Sequence, residues 1–354
     1  MNILFFTSSQ IPKDGWSVVG YNIVKNLNRY NIEAFSSEEK KKMAFNKKSC
    51  KSELFSKYKY FTFIFDFLNV LYCIKKRPDH IHCNVEHYAV VAMWLSRIYG
   101  IPYTITAHGT YGVLLPKKFK IYRKAFKLAN KVICVSNFTN KMMKNEKITA
   151  NYTVIKNGVD KNIFVPDFSI RKENIITFVG NLKDRKGLDF LLQSMAAVSN
   201  IIPNIKVVII GYIDTSSDKY KKVINYINKN KLNVYFAGII SEADLIKYYQ
   251  KAKLNILPSK TEPYYFEGYG LIHAEANACG TLTVGTKNSG NEDAISKENG
   301  FLIDFGDIPG LANIIIDCFS AKIYPAINFN KIVDWKNIAS DYENLFNQLK
   351  HKLL

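Results

Sequence analysis

The chain of 354 residues lacks any apolar run of the roughly 18 residues that a membrane-spanning helix needs. Its six cysteines are scattered, with no C-x-x-C pair and no zinc-ligand spacing. We therefore expect neither a disulfide scaffold nor a structural zinc site, and the cysteine usage favours a reducing compartment. The first residues have no basic segment and only a short apolar run, so we predict no signal peptide and a cytoplasmic protein.

Acidic residues are scarce relative to basic ones, 30 against 49, which gives a formal net charge of +19. The excess is uneven. Up to Ile170 there are 27 basic and 11 acidic residues, and the remainder of the chain holds 22 and 19. One half of the protein is therefore expected to face an anionic partner, such as a membrane surface, an acidic polymer or nucleic acid.

Short strand-like runs alternate with helix-length segments along the whole chain. The strand patterns are Asn2–Thr7, Ile32–Phe35, His80–Cys83, Tyr103–Ala107, Lys131–Val135, Tyr152–Ile155, Ile175–Val179, Lys206–Ile210, Val234–Phe236, Leu254–Leu257 and Leu282–Gly285. The helical patterns are Val18–Asn28, Val85–Ile98, Lys120–Ala129, Leu188–Val198, Asp218–Lys229, Glu242–Lys251 and Leu271–Ala278. This alternation predicts an α/β protein with about six strands per half, hence two doubly wound parallel sheets rather than one sheet of twelve strands.

A strong turn signal, Asn157-Gly158, opens the irregular stretch that separates the two halves. We predict an N-terminal Rossmann-like domain over residues 1–165 and a C-terminal one over 172–330. Residues 331–354 contain the amphipathic segment Ile332–Leu349, which we expect to form a helix packing back across the junction. Because open parallel sheets bind ligands beyond the carboxyl ends of their strands, a cleft between the domains is the expected site.

Polar and glycine residues are densest in Pro258–Gly280, which follows a strand and opens a helix. Glu267 and Glu275 lie eight residues apart, a rise of about 12 Å in a helix. Paired glycosidase carboxylates lie roughly 5–9.5 Å apart, so this pair fits two ends of one elongated, hydroxyl-bearing ligand better. The alternative is that Glu267 is a solvated loop charge and Glu275 a helix-surface residue.

The Glu-x7-Glu spacing in this segment resembles the signature of retaining glycosyltransferase family 4, which has the GT-B fold. Other stretches resemble that family in the same order: Pro78–His82, Thr106–Gly109, Val132–Ser136, Asn157–Asp160, Phe178–Gly187 and Ser289–Ile295. The resemblance covers essentially the whole chain. It implies two Rossmann-like domains whose sheets face a central cleft, the first binding an acceptor and the second a nucleotide-sugar donor.

The resemblance also assigns a donor site. Glu267 would contact the transferred sugar and Glu275 the ribose diol. Lys186, with Arg185 beside it, would bind the diphosphate, as would the backbone amides at a helix start. Those amides belong to Gly268, Tyr269, Gly270 and Leu271. Asn181, directly after Gly180, stands where the family often has arginine, so Arg185 is the candidate for the second positive charge. The alternative for Lys186 is an ordinary exposed lysine.

Three residues of the first half match family positions near the ligands. His108 ends a strand and would lie near the donor sugar as a catalytic residue. Gly15, in the loop after the first strand, would approach the donor phosphates or the acceptor. Trp16 stands where a second glycine is common and would contact the acceptor, unless its ring only packs on the adjoining helix. The first-half histidines His80, His82 and His87 invite a metal reading, which we do not favour.

The implied function is a retaining transfer of a sugar from a nucleotide-sugar to a glycan or lipid-linked hydroxyl, in cell-surface polysaccharide or glycolipid synthesis. No Asp-x-Asp occurs in the chain, so no metal is expected, and a UDP-sugar is favoured over a GDP-sugar. Two alternatives stay open. One is a UDP-sugar epimerase of the same fold, which needs no acceptor; the other is a basic nucleic-acid-binding protein, although recognised reader motifs are absent.

A lysine-rich stretch between residues 38 and 60 precedes a run of bulky apolar residues. Its first five lysines are Lys40, Lys41, Lys42, Lys47 and Lys48. Each lysine near an anionic bilayer contributes about 1 kcal/mol of attraction, so this cluster predicts reversible docking at the inner face of the cytoplasmic membrane. The alternative is a solvated basic loop before a core helix.

Overall fold

The computed structural model describes residues 1–12, 14–36, 62–74, 76–202, 204–321 and 327–351. The chain divides into two compact units, Met1–Asn157 with Asp334–Leu354, and Gly158–Val333. No helix in these described ranges is both long enough and apolar enough to cross a membrane. The lysine cluster Lys40, Lys41, Lys42, Lys47 and Lys48 lies outside the described residues.

The first unit is built on a six-stranded parallel sheet with the strand order β2-β1-β3-β4-β5-β6. Its strands are β1 Asn2–Thr7, β2 Asn31–Ser36, β3 His80–Cys83, β4 Tyr103–Ala107, β5 Lys131–Cys134 and β6 Tyr152–Val154. Every residue of β3 and β4 is buried, as expected for central parallel strands covered on both faces.

The helices described in the first unit before the junction are α1 Gly15–Asn26, α2 Thr62–Cys73, α3 Ala89–Tyr99, α4 Thr110–Lys118, α5 Lys120–Leu128 and α6 Asn137–Asn145. The predicted single helix over 85–98 is wrong in its first turn, because a 3₁₀ turn at Glu86–Tyr88 precedes α3. Gly15 is the first residue of α1 rather than a loop residue, because the Asp14 side chain caps the helix by accepting from the Ser17 amide at 2.8 Å.

The second unit repeats the architecture with the strand order β12-β11-β10-β7-β8-β9. Its strands are β7 Ile175–Val179, β8 Lys206–Ile210, β9 Val234–Gly238, β10 Leu254–Leu257, β11 Leu282–Thr286 and β12 Gly300–Ile303. Its helices are α7 Leu188–Val198, α8 Asp218–Lys229, α9 Glu242–Lys251, α10 Leu271–Ala278, α11 Asn291–Ala294 and α12 Ile308–Phe319. The prediction of two doubly wound parallel sheets is confirmed.

The last helix, α13 Trp335–His351, packs within the first unit. Its buried side chains recur at helical spacing: Ile338, Tyr342, Leu345, Phe346 and Leu349. The Tyr342 hydroxyl lies 3.0 Å from the Thr106 hydroxyl of β4, and the Phe346 ring lies 4.6 Å from the ring of His80. The helix therefore covers the middle of the first sheet, directly beneath strands that lead to the candidate site.

Replacing Phe346 by alanine should lower the free energy of unfolding of the first unit by about 3–5 kcal/mol, because it removes a fully buried ring from a packed core. All three tryptophans, Trp16, Trp94 and Trp335, belong to this unit, so tryptophan fluorescence during urea unfolding measures the loss. Asn344→Ala, at an exposed position of the same helix, is the control. Equal midpoints for the two variants would contradict the packing role.

Candidate functional site

Two loops of the second unit meet at the carboxyl edge of its sheet. The 3₁₀ turn Asp184–Lys186 follows β7, and the segment Pro258–Lys260 follows β10. Gly187 ends the turn with φ +73°, and a Cβ there would overlap the Pro258 carbonyl oxygen. The Lys260 amide donates to the Arg185 carbonyl at 2.7 Å. Glycine is thus required at position 187 for the basic turn to lie against the second loop.

A third loop fixes the backbone around Glu267. The Gly290 amide, after β11, donates to the Glu267 carbonyl at 2.8 Å. A side chain at position 290 would overlap the Gly268 carbonyl, so this contact also depends on glycine. The loops after β7, β10 and β11, three adjacent strands, therefore form one packed edge.

The side chain of Glu267 accepts from the basic turn across this edge. Its Oε2 atom lies 2.5 Å from the Lys186 ammonium and 3.4 Å from the Arg185 guanidinium, and both Glu267 and Lys186 are 15% exposed. Burial alone would raise the pKa of the carboxyl, but the two cations outweigh it and lower the pKa to about 2. The site is thus ionised at neutral pH and holds two positive charges against one negative charge.

Helix α10 begins beside this ion pair. Gly270 precedes it with φ +83°, and no side chain caps its first turn. The predicted amide donors, Gly268 to Leu271, lead from Glu267 into the helix. The first N–H groups of a helix and the helix dipole favour an anion at such a start. His273 in the first turn is buried, and its Nδ1 atom shares a hydrogen bond of 2.5 Å with the Thr283 hydroxyl.

Glu275 lies one turn further along α10 and is half-buried. Burial raises the pKa of its carboxyl to about 7, although the Tyr249 hydroxyl donates to it at 3.4 Å and opposes the shift. Glu242, at the start of α9, also raises the pKa, so Glu275 lies on the side of α10 that faces α9. The two predicted carboxylates therefore occupy different electrostatic surroundings, one paired with cations and the other not.

An open cavity of about 380 Å³ lies at the carboxyl ends of β8 and β9. It is lined mainly by Tyr212, Tyr220, Phe236 and Ile239. The loop after β8 is fixed to the loop after β7, because the Tyr212 amide donates to the Asn181 side chain at 3.3 Å. The cavity is of the size that binds small organic ligands, and it lies along the same sheet edge as the ion pair.

In the first unit, His108 lies directly after β4 and is held by two groups that follow β3. Its Nε2 atom lies 2.7 Å from the Asn84 carbonyl oxygen, and its amide donates to Glu86 Oε1 at 2.7 Å. Since a carbonyl only accepts, Nε2 carries the proton and Nδ1 is left as an acceptor. Burial lowers the pKa of His108 to about 4, so the imidazole is neutral at pH 7.

Glu86 is fully buried beneath this loop. Burial raises the pKa of its carboxyl to about 7, and backbone N–H donors including those of His108 and Gly112 reduce the rise. Its other oxygen, Oε2, has no hydrogen-bond partner among the described residues. Glu86 therefore anchors the segment from His108 into α4.

The predicted ligand contacts of the N-terminal loop lie near this histidine. A Cβ at Gly15 would meet open space, and the Trp16 carbonyl accepts from the side-chain amide of Asn84 at 2.8 Å. The Trp16 ring is 5.3 Å from that of Tyr111 and 5.9 Å from that of His87. These three rings follow β1, β4 and β3, so they form an aromatic cluster at the carboxyl edge of the sheet.

His80 and His82 instead belong to the core. His80 Nε2 and His82 Nδ1 both share the Thr104 hydroxyl, at 2.9 and 2.8 Å, and burial lowers both pKa values. Within the described ranges no three histidine, cysteine or acidic side chains cluster as metal ligands would.

Sequence reasoning missed Asn84, Glu86 and the aromatic lining of the cavity. Asn84 and Glu86 are polar residues that directly follow a buried strand, which is a usable signal at the carboxyl edge of a parallel sheet. The cavity combines Tyr212 after β8 with Ile239 after β9, and no local pattern joins residues so far apart in the sequence.

Two family models together match nearly all of the chain. The model described as Glycosyltransferase Family 4 matches residues 18–162, and the one described as Glycosyl transferases group 1 matches residues 160–327. The chain belongs to glycosyltransferase family 4. The family resemblance drawn from the motifs is thereby confirmed, as is the GT-B fold class.

Curated relatives of this family 4 chain are distant. A D-inositol 3-phosphate glycosyltransferase of Segniliparus rotundus is 29% identical over 43% of this chain and 35% of its own length. A GDP-mannose-dependent monoacylated alpha-(1-6)-phosphatidylinositol monomannoside mannosyltransferase of Corynebacterium glutamicum is 24% identical over 42% of this chain and 39% of its own length. The matched region thus spans well under half of either relative.

Among solved structures, the complex of HepE from Anabaena with UDP is similar to this family 4 chain along its whole length. The TM-score is 0.79 at 19% identity, covering 98% of this chain and 100% of the other. At this level of identity the similarity establishes the fold.

Glu86→Gln should remove a pH dependence from the stability of the first unit. With a pKa near 7 against an ordinary value of 4.5, the folded state retains a proton that the unfolded state has lost. This stabilisation is present below about pH 4.5 and is lost as the pH rises through 7. Between pH 5 and pH 8 the free energy of unfolding of the wild type should fall by up to about 3 kcal/mol relative to that of the variant. Urea unfolding followed by tryptophan fluorescence measures this difference. Glu146→Gln, near the surface of the same unit, is the control, and parallel profiles for wild type and Glu86→Gln would refute the assignment.

Proposed function

We propose that this protein is a retaining glycosyltransferase that moves a sugar from a nucleotide-sugar to a hydroxyl of a glycan or lipid-linked acceptor. The products would belong to cell-surface polysaccharide or glycolipid synthesis. The observation that carries the proposal is the Lys186–Glu267 ion pair, placed beside an uncapped helix start. Family membership supports the same reaction class.

The donor diphosphate is proposed to bind where the positive charges converge. The groups that would bind it are Lys186, Arg185 and the amides from Gly268 to Leu271. The Glu267 carboxylate, which is paired with Lys186 in the structure, would instead bind the transferred sugar. The nucleoside would extend along the sheet edge toward the cavity after β8 and β9, with Glu275 accepting from the ribose hydroxyls.

A uridine nucleotide is the proposed donor. HepE, whose structure aligns along the whole chain, is described in complex with UDP. The mannosyltransferase of Corynebacterium glutamicum is described as GDP-mannose-dependent and matches a smaller share of the chain. We therefore place UDP-sugars first and GDP-sugars second among the donors to be tried.

In the proposed reaction the bond from the anomeric carbon to the departing phosphate oxygen breaks, and a bond to the acceptor oxygen forms on the same face. Lys186, Arg185 and the helix start stabilise the negative charge that grows on the diphosphate. The departing phosphate oxygen takes the acceptor proton, so no separate protein base is needed. No metal or other cofactor enters the proposal, because these protein groups supply the positive charge.

His108 is proposed to act as a neutral hydrogen-bonding group at the donor sugar. Its Nε2–H is committed to the Asn84 carbonyl, which fixes the ring and leaves Nδ1 to accept from a sugar hydroxyl. The low pKa keeps it uncharged, so it does not compete with Lys186 and Arg185 for the diphosphate. Gly15 leaves space for the ligand to approach the first loop.

The acceptor is proposed to contact the aromatic cluster of Trp16, His87 and Tyr111. The apolar faces of these rings suit the C–H face of a sugar, and the cluster lies at the strand ends beside His108. A membrane-bound acceptor would account for the basic first half, so we propose a peripheral location at the cytoplasmic face of the membrane.

The donor assignment predicts that UDP raises the melting temperature of the protein and that a UDP-sugar is slowly hydrolysed. Lys186→Met should lower hydrolysis by about 100-fold, because one electrostatic stabiliser of the leaving group is lost. Glu267→Gln should also lose most activity. Mass spectrometry and nucleotide release measure both effects.

Lys183→Met, an exposed lysine on the same loop, is the matched control and should retain wild-type rates. Wild-type rates in both Lys186→Met and Glu267→Gln would refute the site. A product with the mass of the intact donor would instead identify an epimerase. Salt-sensitive duplex binding without any response to nucleotides would indicate the nucleic-acid alternative.

The acceptor assignment predicts a specific kinetic change in Trp16→Ala. Once a saccharide acceptor supports transfer, this variant should raise its KM about tenfold, because a stacking surface is lost, while the KM of the donor changes little. Initial rates at varied acceptor and donor concentrations separate the two. A larger rise in the KM of the donor would place Trp16 on the donor side.

A further inference from the structure

Helices α2, α3 and α5 lie side by side on one face of the first sheet. The chain crosses from β2 to β3, β4 and β5 in one direction, and right-handed crossovers then place the connecting helices on the same side. The Phe67 ring of α2 packs 5.3 Å from Trp94 of α3, and the Tyr103 hydroxyl of β4 donates to Ala125 of α5 at 2.5 Å. We call the outward side of these helices the α2–α3–α5 face.

This face is strongly basic. The exposed cations of α3 and α5 are Arg97, Lys120, Arg123, Lys124 and Lys127. Against these cations the three helices contain one carboxylate, Asp66 of α2, which is half-buried and close to Tyr122. Burial raises the pKa of the Tyr122 hydroxyl to about 12, and Asp66 contributes to the rise. In the described part of the chain, Lys120, Lys124 and Lys127 have no carboxylate partner.

Several lysines on the helices of the second unit do have such a partner. On its helices Lys219, Lys221 and Lys247 each lie within 4 Å of an aspartate, so their charges are locally balanced. The unbalanced charge of the first unit is therefore a property of its surface and not of the fold that both units share.

Large apolar side chains accompany the cations. Tyr72 is 90% exposed, Ile98 59%, Leu68 53% and Leu128 45%. Single exposed apolar residues are ordinary, but four on three adjacent helices, interspersed with exposed cations, form a surface that is both apolar and cationic. That combination is typical of surfaces that lie in the headgroup region of a bilayer.

We infer that the α2–α3–α5 face docks on an anionic lipid bilayer. Arg97 and the cations of α5 contact lipid phosphates, and Leu68, Tyr72, Ile98 and Leu128 enter the interface between headgroups and acyl chains. A nucleic acid would use the cations alone and would leave the apolar side chains in water. The inference deepens the proposed function by naming the surface that faces a membrane-bound acceptor, but docking itself requires neither donor nor acceptor.

The test is flotation of the full chain with vesicles of phosphatidylcholine containing phosphatidylglycerol, at low and high salt. The variant Lys120→Glu, Lys124→Glu, Lys127→Glu should reduce the partition coefficient at low salt by at least about 100-fold, since each lysine near such a surface accounts for roughly fivefold. The matched control reverses three exposed lysines of the second unit, Lys222, Lys229 and Lys231, and should bind nearly as wild type.

A second variant, Leu68→Gln, Tyr72→Gln and Ile98→Gln, keeps every charge. It should bind at low salt but lose the binding that the wild type retains at high salt, because the binding that remains at high salt comes from apolar insertion. Tryptophan fluorescence unfolding verifies that both variants are folded. UDP-sugar hydrolysis, measured without vesicles, should stay at the wild-type rate in both, so failure of docking and failure of the proposed enzyme are separate results.

Three outcomes would overturn the inference. The first is equal binding of the α5 variant and its second-unit control. The second is tighter binding of the wild type to duplex DNA than to the vesicles at the same salt. The third is complete loss of binding on reversing Lys40, Lys41, Lys42, Lys47 and Lys48 while the α5 variant binds normally, which would assign docking to that segment instead.

Discussion

The ion pair between Lys186 and Glu267 is the contact on which the second unit's site depends. Removing two charges from water is costly, and a buried pair is stable only when its geometry is close and its remaining polar atoms are satisfied. Here the lysine, an arginine and the Ser259 hydroxyl all converge on one carboxylate oxygen. That convergence requires three loops from adjacent strands to be fixed against one another, which explains why Gly187 and Gly290 have no room for a side chain. A nonpolar pair would serve stability as well, and the proposed function therefore assigns these charges to the binding of a ligand.

The carboxyl edges of the two sheets differ in charge. In the second, cations and a helix start concentrate positive potential where a diphosphate is proposed. In the first, burial neutralises the groups at the equivalent edge: it lowers the pKa of His108 to about 4 and raises that of Glu86 to about 7. A neutral imidazole fixed by carbonyl and carboxyl groups can bind hydroxyls without attracting the phosphates. Under the proposed function, one fold thus supplies an anion site and a hydroxyl site.

Much of the fold followed from the sequence, because buried parallel strands are continuous apolar runs. The strands β1, β3, β4, β7, β8 and β10 have the predicted bounds. Helix α4 was missed because Pro116 lies inside it, and β12 because it is short and its two central residues are only partly buried. The Lys186 and Glu267 positions followed from motifs, but their contact did not, since it joins loops some 80 residues apart. Glu86 follows a buried strand, which marks its position at the sheet edge but does not distinguish a buried carboxyl from a solvated one. Its role depends on the amides of a different strand's loop.

The charge asymmetry of the chain is an argument about partners. Both units have six parallel strands in a doubly wound arrangement, yet the residues up to Ile170 hold 27 basic and 11 acidic side chains and the rest hold 22 and 19. Since one unit folds this way with nearly balanced charge, the architecture does not need the excess. Self-repulsion makes such an excess unfavourable for a compact unit, and exposed apolar residues beside it reduce solubility. An anionic bilayer relieves both costs at once, because it neutralises the cations of α5 and shields Tyr72 and Ile98 from water.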